Sequence, residues 1–202
     1  MLLLLACAPS SSSSSLDLSA RLGADQVRAG VVTDSSALFG GISAEGRAGD
    51  VKIYNDRVQF IIQQPGDSSY YVEYGGMLID GDLVRPEGQP GRDVVDELGP
   101  MIGVGRIVDA QKVEVMEDGQ EGEARVRVEG PGTALTLMTG ALESPGMVPD
   151  LDLWVCTDYI LKPGSFLLEM NTTVTNRENT EQTFNIGDVS FLSLEVIERY
   201  RP

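Results

Sequence analysis

The stretch Leu151-Asp-Leu-Trp-Val-Cys-Thr-Asp-Tyr-Ile-Leu161, followed by Lys162-Pro163-Gly164 and then Ser165-Phe-Leu-Leu-Glu-Met-Asn-Thr-Thr-Val-Thr-Asn176, decides how the chain is read. Its second half alternates: Phe166, Leu168, Met170, Thr172 and Val174 form one row, and Leu167, Glu169, Asn171, Thr173 and Thr175 the other. Period two is the signature of a strand, because successive side chains point to opposite faces. Proline followed by glycine pre-sets a turn between two such runs. The passage therefore predicts a long antiparallel hairpin, with the row from Phe166 to Val174 turned toward a core. It also holds the only tryptophan, Trp154.

The same pattern recurs elsewhere in the chain. Val51 and Ile53, then Val58, Phe60 and Ile62, alternate on either side of Asn55-Asp56, which predicts a second hairpin. Gln111 to Met116 and Ala124 to Glu129 predict a third around Asp118-Gly119, with Val126 and Val128 inward and Arg125, Arg127 and Glu129 on a wet face. Tyr70–Tyr74, Met77–Ile79, Ala134–Thr139 and Thr183–Val189 read as further strands. Gly81–Gly91, Gly99–Gly105, Gly140–Pro149 and Asn176–Gln182 read as loops, and Asp93–Leu98 as one helical turn stopped by Gly99-Pro100. Strands separated by turns, with no sustained helical period, predict an all-β fold: an antiparallel β-sandwich with at most one short helix.

The N-terminus is of a different kind. Leu2 to Leu5, Ala6 and Cys7 precede Ala8-Pro9 and six serines. The apolar run is far short of the roughly 20 residues that span a bilayer. Leu4-Leu5-Ala6-Cys7 resembles the lipobox of bacterial lipoproteins. That resemblance implies cleavage before Cys7, a lipid on its thiol, and a Ser-rich tether that holds the folded part off the membrane. No Lys or Arg precedes Arg21, so the usual basic start of such a signal is missing: either the true start codon lies upstream or the signal is incomplete. The expected organisation is a signal remnant over 1–6, a lipidated cysteine and tether over 7–30, and one sandwich domain over 31–202. The close at Pro202, soon after an apolar run, suggests a longer gene product. Cys156, with Cys7 acylated, reads as a small buried hydrophobe on a strand.

Within residues 151–188, Tyr159-Ile-Leu161, Pro163-Gly164, Leu168, Thr173-Val-Thr-Asn176 and Gly187-Asp188 resemble a passage in galactose mutarotase-like supersandwich domains of carbohydrate-active proteins. The resemblance implies a supersandwich-like arrangement and a setting in carbohydrate chemistry. The catalytic histidines of that family have no counterpart, because the chain contains no histidine. The lipobox and Ser-rich tether are also similar to those of large surface lipoproteins of Gram-negative bacteria, and that resemblance implies a place in the cell envelope, at the outer membrane.

Composition excludes several functions. The absence of histidine removes the Ser-His-Asp triad, the imidazole base and the commonest zinc ligand. With 31 Asp and Glu against 15 Lys and Arg, the net charge of −16 repels nucleic-acid phosphates and anionic lipid headgroups. Asp80, Asp82, Asp93 and Asp96 with Glu97 form an acidic stretch that could offer oxygen ligands to Ca²⁺, but the EF-hand spacing is missing and a solvated acidic loop is the preferred reading. Glu117 to Gly122 reads as a hairpin turn. Tyr71, on the opposite face from Tyr70 and Tyr74, is a solitary platform for a sugar ring. Asn171-Thr172-Thr173 matches a glycosylation acceptor inside a strand, by chance. The expected binding residues are therefore Tyr71, Asp80, Asp82, Asp93 and Asp96, with no catalytic residue and no cofactor beyond a Ca²⁺ option. The expected function is a non-catalytic, lipid-anchored envelope domain that binds a ligand such as a glycan, or an envelope protein. The alternatives are the N-terminal β-domain of a longer carbohydrate-processing enzyme and a purely structural envelope protein.

Overall fold

A computed structural model describes residues 16–66, 68, 71–137 and 151–192. The lipobox, Cys7, the serine tract, Tyr70 and the Gly140–Pro149 loop lie outside them. Among the described residues, eleven strands form an antiparallel assembly: β1 (Val27–Val31), β2 (Val51–Asn55), β3 (Val58–Ile62), β4 (Leu78–Leu83), β5 (Val95–Ile102), β6 (Arg106–Val108), β7 (Lys112–Asp118), β8 (Ala124–Ala134), β9 (Leu153–Leu161), β10 (Leu168–Asn176) and β11 (Ile186–Leu192). A 3-10 turn, Ser35–Ala37, interrupts them and is capped by the Asp34 carboxylate on the Ser36 N–H. The all-β antiparallel class is the one expected.

The strand order is β1-β2-β3-β4-β5-β6-β8-β9-β10, with β11 beside β5 and β7 beside β8. Strand β8 is the hinge of this order. Its first half pairs with β7 and β9, and its last residues, Gly132 to Ala134, pair with β6. The sheet thereby doubles over itself, and β1 and β2 lie against β7, β8 and β9 without pairing to them. Between the two layers sits the main core, which includes Ile53, Ile62, Ile102, Val126, Leu153, Val155 and Tyr159. Apolar burial of this kind is worth about 25 cal/mol per Å² removed from water.

A second core lies on the other face of the layer that contains β2. Leu18, Val32, Ala37, Tyr54, Ile61, Val72, Met77, Ile79, Ile107 and Leu135 form it. Every residue of β2 is consequently buried, Lys52 included. The N-terminal segment and the 3-10 turn lie over this face, so β2, which alternation describes as half wet, is buried on both sides.

The three predicted hairpins are present. In the decisive one, Leu168 pairs with Leu161 and Asn176 with Leu153, across the turn at Lys162-Pro163-Gly164. Leu168, Met170 and Val174 pack against the main core as expected. Phe166 does not: it is 58% exposed, beyond the paired region, with the Arg57 guanidinium 4.8 Å from its ring centre. Cys156 is only half-buried, on the face that carries Glu129 and Thr173 opposite it.

Other expectations are corrected. The Asp93–Leu98 helical turn is instead the start of β5, which runs through Gly99-Pro100 with Pro100 opposite Asp188 of β11. Glu97 is wholly buried, so a polar letter occupies an inward position and hides the alternation. Residues 71–74 form a bend and turn, because the Glu97 carboxylate takes the N–H groups of Tyr71 and Val72 that a neighbouring strand would otherwise accept. Ala134 closes β8 rather than opening a new strand, and Leu137 is exposed. The last strand begins at Ile186, three residues later than expected. The Leu16–Gly30 segment is no tether: β1 pairs Val27 with Asn55 and Val31 with Val51, and Leu18 is buried.

Candidate functional site

All but one of the acidic residues singled out in the sequence are buried: Asp80, Asp82, Asp93 and Glu97, with Asp96 half-buried. Asp80 and Asp93 are each 0% exposed, and so is Glu97. Asp80, on β4, accepts the N–H groups of Glu45 and Gly46, each at 2.9 Å. Burial pushes its carboxyl up to about 7 against the pull of those donors, and the neighbouring Asp93 adds to the rise. Asp93 accepts the N–H groups of Gly81 and Val95 through Oδ1, while its Oδ2 has no hydrogen-bond partner. Burial raises it to about 6. Glu97 accepts from Ser68 and from the backbone of Tyr71 and Val72, and burial raises it to about 7.

These groups brace loops. Asp82 accepts the N–H groups of Leu83 and Arg92 at 2.8 Å and pairs with the Arg85 guanidinium, which closes the 83–92 loop into a fixed shape. The Asp93 backbone joins Gly41 in an isolated bridge and accepts from the Ile42 N–H, which ties residues 40–43 to the end of that loop. A Cβ on Gly91 would overlap the Gly40 carbonyl, so glycine permits the close approach. Asp96 is half-buried on β5. No group of three or more acidic or cysteine side chains among the described residues is placed to hold a metal ion. Tyr71 is 47% exposed, but its ring stacks on Phe191 with centroids 4.5 Å apart.

The walls that Asp82 and Asp93 fix enclose something the sequence did not announce. A cavity of about 380 Å³ lies between the N-terminal segment, the end of the 3-10 turn, β2 and the 83–92 loop. That volume is toward the lower end of the range of small-molecule sites. Arg21 from the N-terminal segment closes one side by donating to the Arg85 carbonyl. Lys52 and Tyr54 of β2 form the floor, and Phe39 stands beside them.

Lys52 is 5% exposed. Its ammonium donates to the carbonyls of Ala37 at 2.6 Å and Leu18 at 3.1 Å. The Tyr54 ring centre lies 4.4 Å away and that of Phe39 6.0 Å. Desolvation lowers the lysine to about 8, and only the distant charge of Asp17 works against the fall. Tyr54 donates its hydroxyl to the Ala20 carbonyl at 3.0 Å, which secures the N-terminal segment over the floor.

Of the five residues expected to bind, none lines this cavity; Asp82 and Asp93 shape its walls instead. Lys52 escaped notice because alternation in Val51–Tyr54 assigns it to a wet face. One signal could have revealed it: Leu18, Leu22 and Ala37-Leu38-Phe39 are apolar residues that no predicted strand absorbs, and they need a sheet face to cover. No protein family, curated protein or solved structure matches this chain.

Proposed function

We propose that this is a lipid-anchored protein of the bacterial outer membrane whose β-sandwich domain binds a small carbohydrate ligand without catalysing its conversion. The observation that carries the reading is the cavity over Lys52 and Tyr54, flanked by the loop that the Asp82 carboxylate braces. Pre-formed walls lower the ordering cost of binding. The resemblance of residues 151–188 to carbohydrate-active β-sandwiches supports the ligand class, and the Leu4-Leu5-Ala6-Cys7 lipobox supports the location.

A glycan array combined with thermal shift on the full chain tests the binding. A ligand present well above its Kd raises Tm by mass action. At least one glycan is expected to raise Tm; a flat response across the array would overturn the binding reading and leave a structural envelope role. The anchor is tested separately by palmitate labelling in a bacterial host. Label that disappears in Cys7→Ser is the expected result, and label that survives the substitution would refute the anchor.

A further inference from the structure

The cavity also bears on which carbohydrates it takes, an inference that rests on the ligand-binding reading. An ammonium group has three hydrogens, and Lys52 places two of them on neutral carbonyl oxygens. Among the described residues the third has no acceptor, and no carboxylate lies within ion-pair reach. A positive charge that is 5% exposed is thus balanced only by dipoles and the faces of two rings. Buried charges are ordinarily paired, because desolvation costs several kcal/mol per ion.

The rest of the chain makes this arrangement unusual. Among the described residues no acid is set against Lys52; Asp17 acts on it only at a distance, and its carboxylate is occupied by the Ser19 N–H and hydroxyl. The cavity lining holds Arg21, Lys52 and Arg85 but a single acid, Glu87, in a molecule whose net charge is −16. Arg85 is engaged by Asp82. Arg21 is exposed and uses its guanidinium on the Arg85 carbonyl, a contact that leaves further N–H groups of the fork for an incoming acceptor.

We propose that the cavity binds a sugar carrying one anionic group, with Lys52 as its buried counter-charge and Arg21 as its contact at the rim. The anion completes the third hydrogen bond of Lys52 as a charge-assisted bond, stronger than one between neutral groups. The hydroxyls of the sugar meet the polar lining contributed by Ser19, Ser36 and Gln59.

The chain has three lysines, Lys52, Lys112 and Lys162, so lysine 13Cε NMR on the full-length protein resolves each one. Its pH titration is recorded with D-glucuronate, with D-glucose 6-phosphate, with D-glucose and with no addition. The expected result is a rise of about one unit or more in the Lys52 midpoint with an anionic sugar, while Lys112 and Lys162 stay in place. The glucuronate and phosphate arms then tell a carboxylate from a phosphate. Arg21→Gln, a change on an exposed side chain, is expected to weaken binding about tenfold. A Tm rise with D-glucose at an unchanged Lys52 midpoint keeps the ligand-binding reading and overturns the anionic one. Equal shifts at all three lysines mean bulk ionic effects and overturn it as well. No response in Tm or midpoint in any arm removes both.

Discussion

Burial holds Asp80 at about 7, Asp93 at about 6 and Glu97 at about 7, whereas the unfolded chain ionises such groups near 4. Between about pH 4 and 7 the folded state therefore binds more protons than the unfolded one, and stability falls as pH rises through that window. The urea midpoint, followed by Trp154 fluorescence, is expected to be higher at pH 5 than at pH 8. A midpoint that drops on acidification to pH 5 would contradict this. Lys52 acts in the opposite sense: its value is lowered to about 8, so its ionised form costs stability below that pH, and the penalty lifts as pH rises toward 10. Each acid also has a structural task. Asp80→Ala leaves the N–H groups of Glu45 and Gly46 buried without acceptors, and is expected to cost about 2–4 kcal/mol in urea denaturation. None of this was legible residue by residue, because an aspartate that braces a loop and one that faces water are the same letter.

At the scale of elements, the loop after β4 shows how local chemistry builds the site. Asp82 gathers two backbone N–H groups and a guanidinium, and Gly91 lets the returning chain touch Gly40. Asp82→Ala is expected to lower stability by about 2–3 kcal/mol and to speed protease cleavage between Val84 and Gly91. Unchanged cleavage would show that the loop is held by other contacts. Hairpins were readable because turn residues and alternation agree there, as at Asn55-Asp56 and at Lys162-Pro163-Gly164. β5 was not readable, since buried Glu97 and Pro100 both contradict a strand pattern. β5 tolerates Pro100 although the strand pattern argues against it, while Glu97 is accommodated by the donors of residues 68–72. β1 was missed for a related reason: it is short, and its burial comes from strands far along the chain.

For the whole molecule, a net charge of −16 is carried on a double-layered sheet. Self-repulsion of that size is screened over about 10 Å at 0.1 M salt. Raising NaCl from 10 to 300 mM at pH 8 is expected to raise Tm, and a constant Tm would show that the charges are already compensated locally. The doubling of the sheet at β8 also explains the division of roles. The layer from β7 to β10 has one wet face, so its residues alternate and declare themselves. The layer that holds β2 is covered twice, once by the opposite layer and once by the N-terminal segment, and its polar residues on the second face become the floor of a cavity. Alternation, turn chemistry and the lack of histidine were enough to determine an all-β antiparallel fold and to exclude imidazole catalysis, because those properties depend on neighbours in the chain. The place of Lys52, the cavity over it, and the burial of Asp80, Asp93 and Glu97 were decided only by tertiary structure. Burial on the second face of a sheet is set by segments distant in sequence, and no local period records which segment will cover which face.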